Sequence, residues 1–257
     1  MNLLAADLAR ALDPVQLARV VGMEPDPWQV DVLRSDHPRL LLNCCRQSGK
    51  STTAAVKAVH VAVYEPGSLT LCLSPSLRQS QELFRKVLST YRTLGRPVPS
   101  ESENALSLTL ENGSRVVSLP GTEATIRAYS AVRLLLVDEA ARVPDETLTA
   151  VRPMLAVSDG QMIALSTPWG CRGWWYEAWE SGSSTYKRVR VTAEDCPRIG
   201  ADFLAQERAA MGSWVYSQEY ECNFAASSAQ LFSEDALRAM YSAAVAPLFP
   251  IEGDLHG

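Results

Sequence analysis

The sequence predicts an α/β fold with a mostly parallel sheet flanked by helices, and three observations carry that prediction. Short apolar runs recur at residues 39–44, 69–74, 133–139 and 161–168, with helical patterns between most of them; this alternation is the signature of strands joined by crossover helices. The first run, "RLLLNC", leads directly into "CRQSGKSTT" and a helical stretch, the strand, loop and helix context that a phosphate-cradling loop requires. The third, "RLLLVDE", is an apolar strand that closes on two adjacent acids, Asp138 and Glu139.

The remaining elements follow in chain order. "MNLLAADLARALDPVQLARVV" carries acids and arginines at amphipathic helical spacing and lacks the apolar centre of a signal peptide. "PDPWQ" reads as a helix entry that places Trp28 and Gln29 upstream of the loop. A helix is expected over "STTAAVKAVHVAVY", then the strand "LTLCLS" and a helix bearing Arg78, Arg85 and Lys86. "SLTLENGSRVVSL" places two alternating runs around Asn112-Gly113, a β-hairpin that adds antiparallel strands at the sheet edge. After "STPWG" the texture changes to aromatic-rich helical segments around the strand "STYKRVRV". The expected organisation is therefore a core over 1–168 with an N-terminal helical segment, a small lid subdomain over 169–225, and a linker over 226–257 that is rich in small residues and contains prolines.

Composition excludes several classes. With 257 residues and 47% hydrophobic content the chain can bury a large core. No segment approaches eighteen uninterrupted apolar residues, so no membrane partner is expected. The six cysteines form no C-x-x-C pair and the three histidines are scattered, which argues against a zinc site or a disulfide framework and for a reducing cytosol. A net charge of −5 argues against coating nucleic acid by bulk electrostatics. Local basic surfaces remain open at Arg78, Arg85 and Lys86 on one helix, and in "YKRVRV" at 186–191, where Arg188 and Arg190 share one face of a strand; the alternative is solvated helix charge and edge-strand protection. Trp169, Trp174, Trp175 and Trp179 could stack on bases, but Trp175 and Trp179 are one helical turn apart and share a face, which favours the core of the lid.

The chemistry concentrates in four places. Gly49, Lys50 and Ser51 fit the second half of the pattern G-x-x-x-x-G-K-S/T, while Cys44 stands at its first glycine. A triphosphate at a helix start needs inward backbone N–H groups, a lysine for the outer phosphates and a hydroxyl for Mg²⁺; Arg46, Gln47, Ser48, Gly49, Lys50, Ser51 and Thr52 are the expected cradle. On a buried strand Asp138 reaches Mg²⁺, and Glu139 can orient and deprotonate the attacking water. Ser166 and Thr167 emerge at the end of the next strand, where hydroxyls can sense the γ-phosphate. Gln29 can read N6 and N7 of adenine.

In this order, "WQ", "RQSGKS", "LLVDEAA" and "STPWGCRG" resemble the large terminase subunits of tailed bacteriophages, ATP-driven motors that pump DNA into capsids; the resemblance runs from about Trp28 to Phe224. It implies a P-loop NTPase of the RecA/ASCE type. It assigns Arg46 to catalysis or coupling, Lys50 to the phosphates, Ser51 and Asp138 to Mg²⁺, Glu139 to the catalytic base, Gln29 to adenine, and Ser166, Thr167 and Pro168 to the coupling motif. Arg127, in "ATIRAYSAVRLLLVDE", matches the region of an arginine finger reaching a neighbouring subunit's ATP, with Arg133 and Arg142 as rivals. ATP and Mg²⁺ are the implied cofactors. Double-stranded DNA, the procapsid's portal protein and the small terminase subunit are the implied partners, in a homo-oligomeric ring that is a monomer in isolation, in the cytoplasm of an infected bacterial host and transiently docked on the procapsid. Family members usually add a C-terminal nuclease of RNase H type; no second set of strands and acids follows residue 225, so nuclease activity is not expected of these residues. Two other functions compete. A helicase-like DNA remodeller needs a second RecA-like domain of about 150 residues, and a nucleotide-gated assembly module has less need of Glu139 beside Asp138.

Overall fold

The computed structural model describes residues 3–120, 126 and 128–224, all within one compact unit, Met1–Ala225. Arg127 and the expected linker over 226–257 lie outside the described residues. Helices α1 (Leu3–Leu12), α2 (Pro14–Val20) and α3 (Pro27–Arg34) precede strand β1 (Arg39–Cys44). Pro14 and Pro27 open α2 and α3, where a missing N–H leaves no bond unmade. Then come α4 (Lys50–Tyr64), β2 (Leu69–Ser74), α5 (Leu77–Thr93), β3 (Ser100–Glu103), β4 (Ser107–Leu110) and β5 (Arg115–Pro120). The second half supplies β6 (Leu134–Asp138), a 3-10 turn at Ala140–Arg142, α6 (Asp145–Val151), β7 (Gln161–Ser166), α7 (Gly173–Glu180), β8 (Lys187–Val191), α8 (Ala201–Ala210) and α9 (Ser213–Glu219).

The strands form one eight-stranded sheet in the order β3-β4-β5-β2-β6-β7-β1-β8. Strands β5, β2, β6, β7, β1 and β8 are parallel neighbours in turn, and β4 and β3 add antiparallel at one edge. The expected hairpin is β4–β5, with Leu108 opposite Val116 and Gly113 at φ +82°, the left-handed backbone its tight turn needs. The polar strand β3 pairs outside it and has no apolar pattern to announce it. The expected strand in "STYKRVRV" joins the same sheet as β8, outside β1.

Helices cover both faces, which is why the central strands read as continuous apolar runs. Leu40, Leu42, Leu134, Leu136 and Ile163 pack with Val59 of α4 and Phe84 of α5. Their sequence neighbours Leu41, Leu135, Val137, Met162 and Ala164 pack on the other side with Leu148, Trp174 and Trp175. Alternation then turns Asp138 to the face of Leu134 and Leu136, beneath α4.

Candidate nucleotide site

Parallel pairing aligns the ends of three strands. Asn43 of β1 stands opposite Ser166 of β7, and Leu165 of β7 opposite Asp138 of β6. The loop after β1, the acids after β6 and the Ser-Thr-Pro segment after β7 therefore open at one end of the sheet, where parallel α/β sheets bind ligands.

Cys44 is the last residue of β1, fully buried and extended, so its position makes no demand for glycine. The turn itself comes later: Gln47 has φ +58° and Gly49 φ +92°, left-handed backbone on either side of buried Ser48. Such alternation turns successive N–H groups toward one concavity, an anion-binding nest. It discharges into the N-terminus of α4, a 15-residue helix whose dipole favours negative charge there. The left-handed backbone favours glycine at position 49, and a Cβ there would also stand 2.8 Å from Gln29 Nε2, so that side chain would have to move. Thr53 Oγ1 donates to Gly49 O at 3.1 Å and fastens the turn to the helix.

Lys50 and Ser51 begin α4 and face the acids. Ser51 Oγ donates to Asp138 Oδ2 at 3.4 Å, and Lys50 Nζ lies 3.7 Å from Glu139 Oε1. Burial, and secondarily the charge of Glu139, push the Asp138 carboxyl up to about 6. A carboxylate so placed gains from a cation beside it, and Ser51 supplies a neutral oxygen on the same side; this pair is chemically suited to Mg²⁺. Glu139 itself has φ +50° and ψ +44°, a left-handed conformation uncommon for a glutamate and frequent at functional turns. The backbone N–H of Glu139 donates to Asp138 Oδ1 at 3.1 Å. Ser166, Thr167 and Pro168 are all buried, and Ser166 Oγ accepts from Ala141 N. Gln29 is buried against the loop, its Oε1 accepting from Asp26 N at 2.8 Å. Thr52 is half-buried in the first turn of α4.

Two contacts were not legible in the sequence. Arg46 pairs through Nε with Glu219 Oε2 of α9 at 3.1 Å, and its backbone N–H donates to Glu219 O. Arg198, in the loop after β8, donates to both Asp26 carboxylate oxygens and to Ser48 O. Both join the loop to residues more than a hundred positions away, and nothing in either local pattern marks them.

Other candidates have structural partners. Arg188 donates to the carbonyls of Ala178, Trp179, Ser183 and Tyr186, closing the end of α7, and Arg190 donates to Glu221 O and Asn223 Oδ1. Arg85 pairs with Glu82. The expected core role of the tryptophans holds for Trp174, Trp175 and Trp179, which pack in the cluster with β6 and α6. Trp169 is instead exposed, with the Arg142 guanidinium 4.1 Å from its ring centre. Arg133 pairs with Glu65, five residues up β6 from Asp138 and hence about 16 Å from it along the strand.

A family model described as terminase large subunit, T4likevirus-type, N-terminal, matches residues 41–239. The chain is 27% identical to the large terminase subunit of Thermus virus P23-45 over 220 residues, 78% of this chain and 45% of the relative. It thus spans less than half the length of that relative. Among solved structures, the large terminase ATPase domain of Thermus phage P74-26 is similar at TM-score 0.72 and 22% identity, covering 81% of this chain and 97% of that one. The large terminase of a thermophilic bacteriophage, solved in complex with ATP-gamma-S, is similar at TM-score 0.61 and 13% identity, covering 77% of this chain and 52% of that one.

Proposed function

This chain belongs to the terminase large subunit family, in its T4likevirus-type N-terminal part, and on that premise we propose that it is the ATPase motor of viral genome packaging. In this reading it hydrolyses ATP to drive double-stranded DNA into a procapsid, as one member of an oligomeric ring. The observation that carries the reading is the pairing of Ser51 with Asp138 and of Lys50 with Glu139 across the ends of α4 and β6.

The N–H groups from Gln47 to Thr52 and the Lys50 ammonium hold the phosphates. Gln29 meets the adenine. Ser51 and Asp138 would hold Mg²⁺, which when bound neutralises charge on the outer phosphates. Glu139 orients a water and takes its proton as the water oxygen attacks the γ-phosphorus and the bond to the β-phosphate oxygen breaks. Lys50 Nζ lies 3.7 Å from that carboxylate and so joins the phosphate cradle to the base. Arg46, beside the cradle, adds positive charge where the phosphates gather. Arg127 serves the neighbouring subunit's site, a contribution of about 10³ to 10⁵ in rate for such arginines. Ser166, Thr167 and Pro168 pass the state of the site to residues 169–225, which act as a lid, and residues 226–257 link to the rest of the motor. The portal protein, the small terminase subunit and DNA are the partners, in the host cytoplasm and at the procapsid.

The test is the initial rate of Mg²⁺-dependent ATP hydrolysis against protein concentration, for the unmodified chain, Lys50→Ala and Arg127→Ala. Specific activity should climb with concentration in the unmodified chain, stay flat in Arg127→Ala, and vanish with nucleotide binding in Lys50→Ala. Undiminished binding by Lys50→Ala in a calorimetric titration would overturn the site, and a specific activity of Arg127→Ala that climbs with concentration as the unmodified chain's does would remove its role in trans.

A further inference from the structure

Gln29 is 2% exposed, and its amide is oriented by a contact that admits one reading only. Asp26 N is a donor, so the atom 2.8 Å from it must be the Gln29 carbonyl oxygen. The amide nitrogen then lies at the other end, toward Gly49, 2.8 Å from where a Cβ of that residue would stand. In this orientation the side chain offers a second lone pair on Oε1 and a donor on Nε2, which matches the 6-amino group and N7 of adenine. A 6-oxo purine would set its O6 against Oε1, acceptor against acceptor. A flip of the amide would only move that clash to N7, which also accepts, and would set both Gln29 groups wrongly against adenine; the present orientation is thus the one that favours adenine, and Asp26 N holds it.

Asp26 is held in place from a distant part of the chain. Arg198 Nη1 and Nη2 donate to Asp26 Oδ1 and Oδ2 at 2.8 and 2.7 Å, and Nη2 also donates to Ser48 O at 2.9 Å. The Asp26 side chain is 10% exposed. One planar guanidinium therefore fixes both the entry of α3, which carries Gln29, and the carbonyl just before Gly49; Nη2 and Gln29 Nε2 both approach the face where Gly49 has no side chain. The loop that bears Arg198 reaches this position because β8 lies beside β1: Cys45 N donates to Val191 O at 2.9 Å, and Cys196 Sγ lies 3.8 Å from Cys45 Sγ.

We propose that Arg198 is a positioning residue that locks Gln29 in its adenine-reading orientation and thereby sets the preference of the site for 6-aminopurine over 6-oxopurine nucleotides. The inference rests on the nucleotide-binding reading of this site. A merely structural tie would alter stability without altering the choice of base, which gives the test its readout.

The experiment is a fluorescence titration of the full chain with N-methylanthraniloyl-labelled ATP and GTP, for the unmodified protein, Arg198→Ala, Arg198→Lys and Asp26→Asn, with the steady-state kcat and KM for each nucleotide. The unmodified chain should prefer the ATP analogue by about tenfold or more, equivalent to about 1.4 kcal/mol. Arg198→Ala should narrow the preference to within about threefold, mainly through Kd and KM, with kcat for ATP within about twofold. Arg198→Lys, which keeps charge but loses the fork, should fall between, and Asp26→Asn should behave like it; these milder changes carry the test if Arg198→Ala does not fold. An unchanged preference in the folded variants, or no preference in the unmodified chain, would overturn the inference and leave the ATPase reading standing. Failure of the unmodified chain to bind either nucleotide would instead overturn that reading, and the inference with it.

Discussion

Ser166 Oγ accepts a hydrogen bond from the backbone N–H of Ala141 at 3.2 Å. The end of β7 is thereby tied to the turn that carries Glu139, two residues earlier. That turn holds a glutamate in left-handed backbone, which costs about 1–2 kcal/mol and persists only when the surroundings over-determine it. Asp138 Oδ1 fixes the Glu139 N–H from one side. Trp174 Nε1 donates to Val143 O at 3.0 Å and fixes the far end of the turn. In the proposed coupling role, that hydrogen bond is the direct link by which a shift at the end of β7 would reach Glu139.

Ser166→Ala should accordingly act on chemistry more than on binding. The Ala141 N–H loses its acceptor, a stability loss of about 1 kcal/mol, and a base displaced by a fraction of an ångström loses about tenfold or more in rate. ATP affinity should stay within about twofold, since neither the loop nor α4 is touched. Single-turnover hydrolysis beside a calorimetric titration separates the two effects. An unchanged turnover rate would show that the hydroxyl does not position the base.

The sheet edge yields a pH prediction. Glu103 on β3 accepts from Arg92 at 3.0 and 2.7 Å and from Arg96 at 3.0 Å. Arg92 first, then Arg96, lower its carboxyl to about 2 from a usual 4.5. The folded state thus favours the ionised form, so the contribution is present above about pH 4.5 and is lost as pH falls through about 2. Both arginines are half-exposed, and screening reduces the contribution to about 1 kcal/mol. Urea midpoints for the unmodified chain and Glu103→Gln should differ at pH 7 and converge as pH falls below 4.5 toward 2. A constant gap across that range would mean that Glu103 acts through packing.

The same strand marks where sequence reading stops. The central strands were legible because both of their faces are buried, so "LLLN", "LTLCLS" and "LLLVD" are mostly apolar and buried throughout. Strand β3 is Ser-Glu-Ser-Glu; it exists because β4 offers an unpaired edge and Arg92 and Arg96 neutralise Glu103, a tertiary cause without a local pattern. The cradle, Asp138, Glu139 and Ser166 were legible because each closes a strand or opens a helix. Arg198 and Glu219 were not, because their partners come from distant segments and only the pairing of β8 beside β1 brings them near. Arg188 reads in sequence as surface charge, yet its guanidinium satisfies the carbonyls at the end of α7.

Glu219 pairs with Arg46 at the start of the loop. Its side chain is 13% exposed, while that of Arg46, which opens the loop, is 65% exposed. Glu219→Gln removes the competing charge. ATP affinity should rise by about two- to fivefold, the range expected of a partly exposed ion pair, and the gain should shrink as salt is raised. Arg46→Ala should weaken affinity and abolish any further effect of Glu219→Gln. An unaltered affinity in Glu219→Gln at low salt would show that the pair does not compete with phosphate.

Glu139 allows chemistry and strain to be separated at one position. Glu139→Gln keeps shape and removes the base, so hydrolysis should fall by about 10² to 10⁴ while nucleotide binding persists. Glu139→Ala removes the base and keeps a Cβ in left-handed backbone, whereas Glu139→Gly removes both. The glycine variant should therefore be more stable than the alanine variant by about 1 kcal/mol in urea unfolding, less whatever glycine's freer unfolded chain takes back, with both equally inactive. The usual order, alanine above glycine, would show that the turn relaxes once the carboxylate is gone, and that the contact between Glu139 and Lys50 holds the left-handed conformation. Unimpaired hydrolysis by Glu139→Gln would remove the base from Glu139 altogether and favour a nucleotide-gated module over a motor.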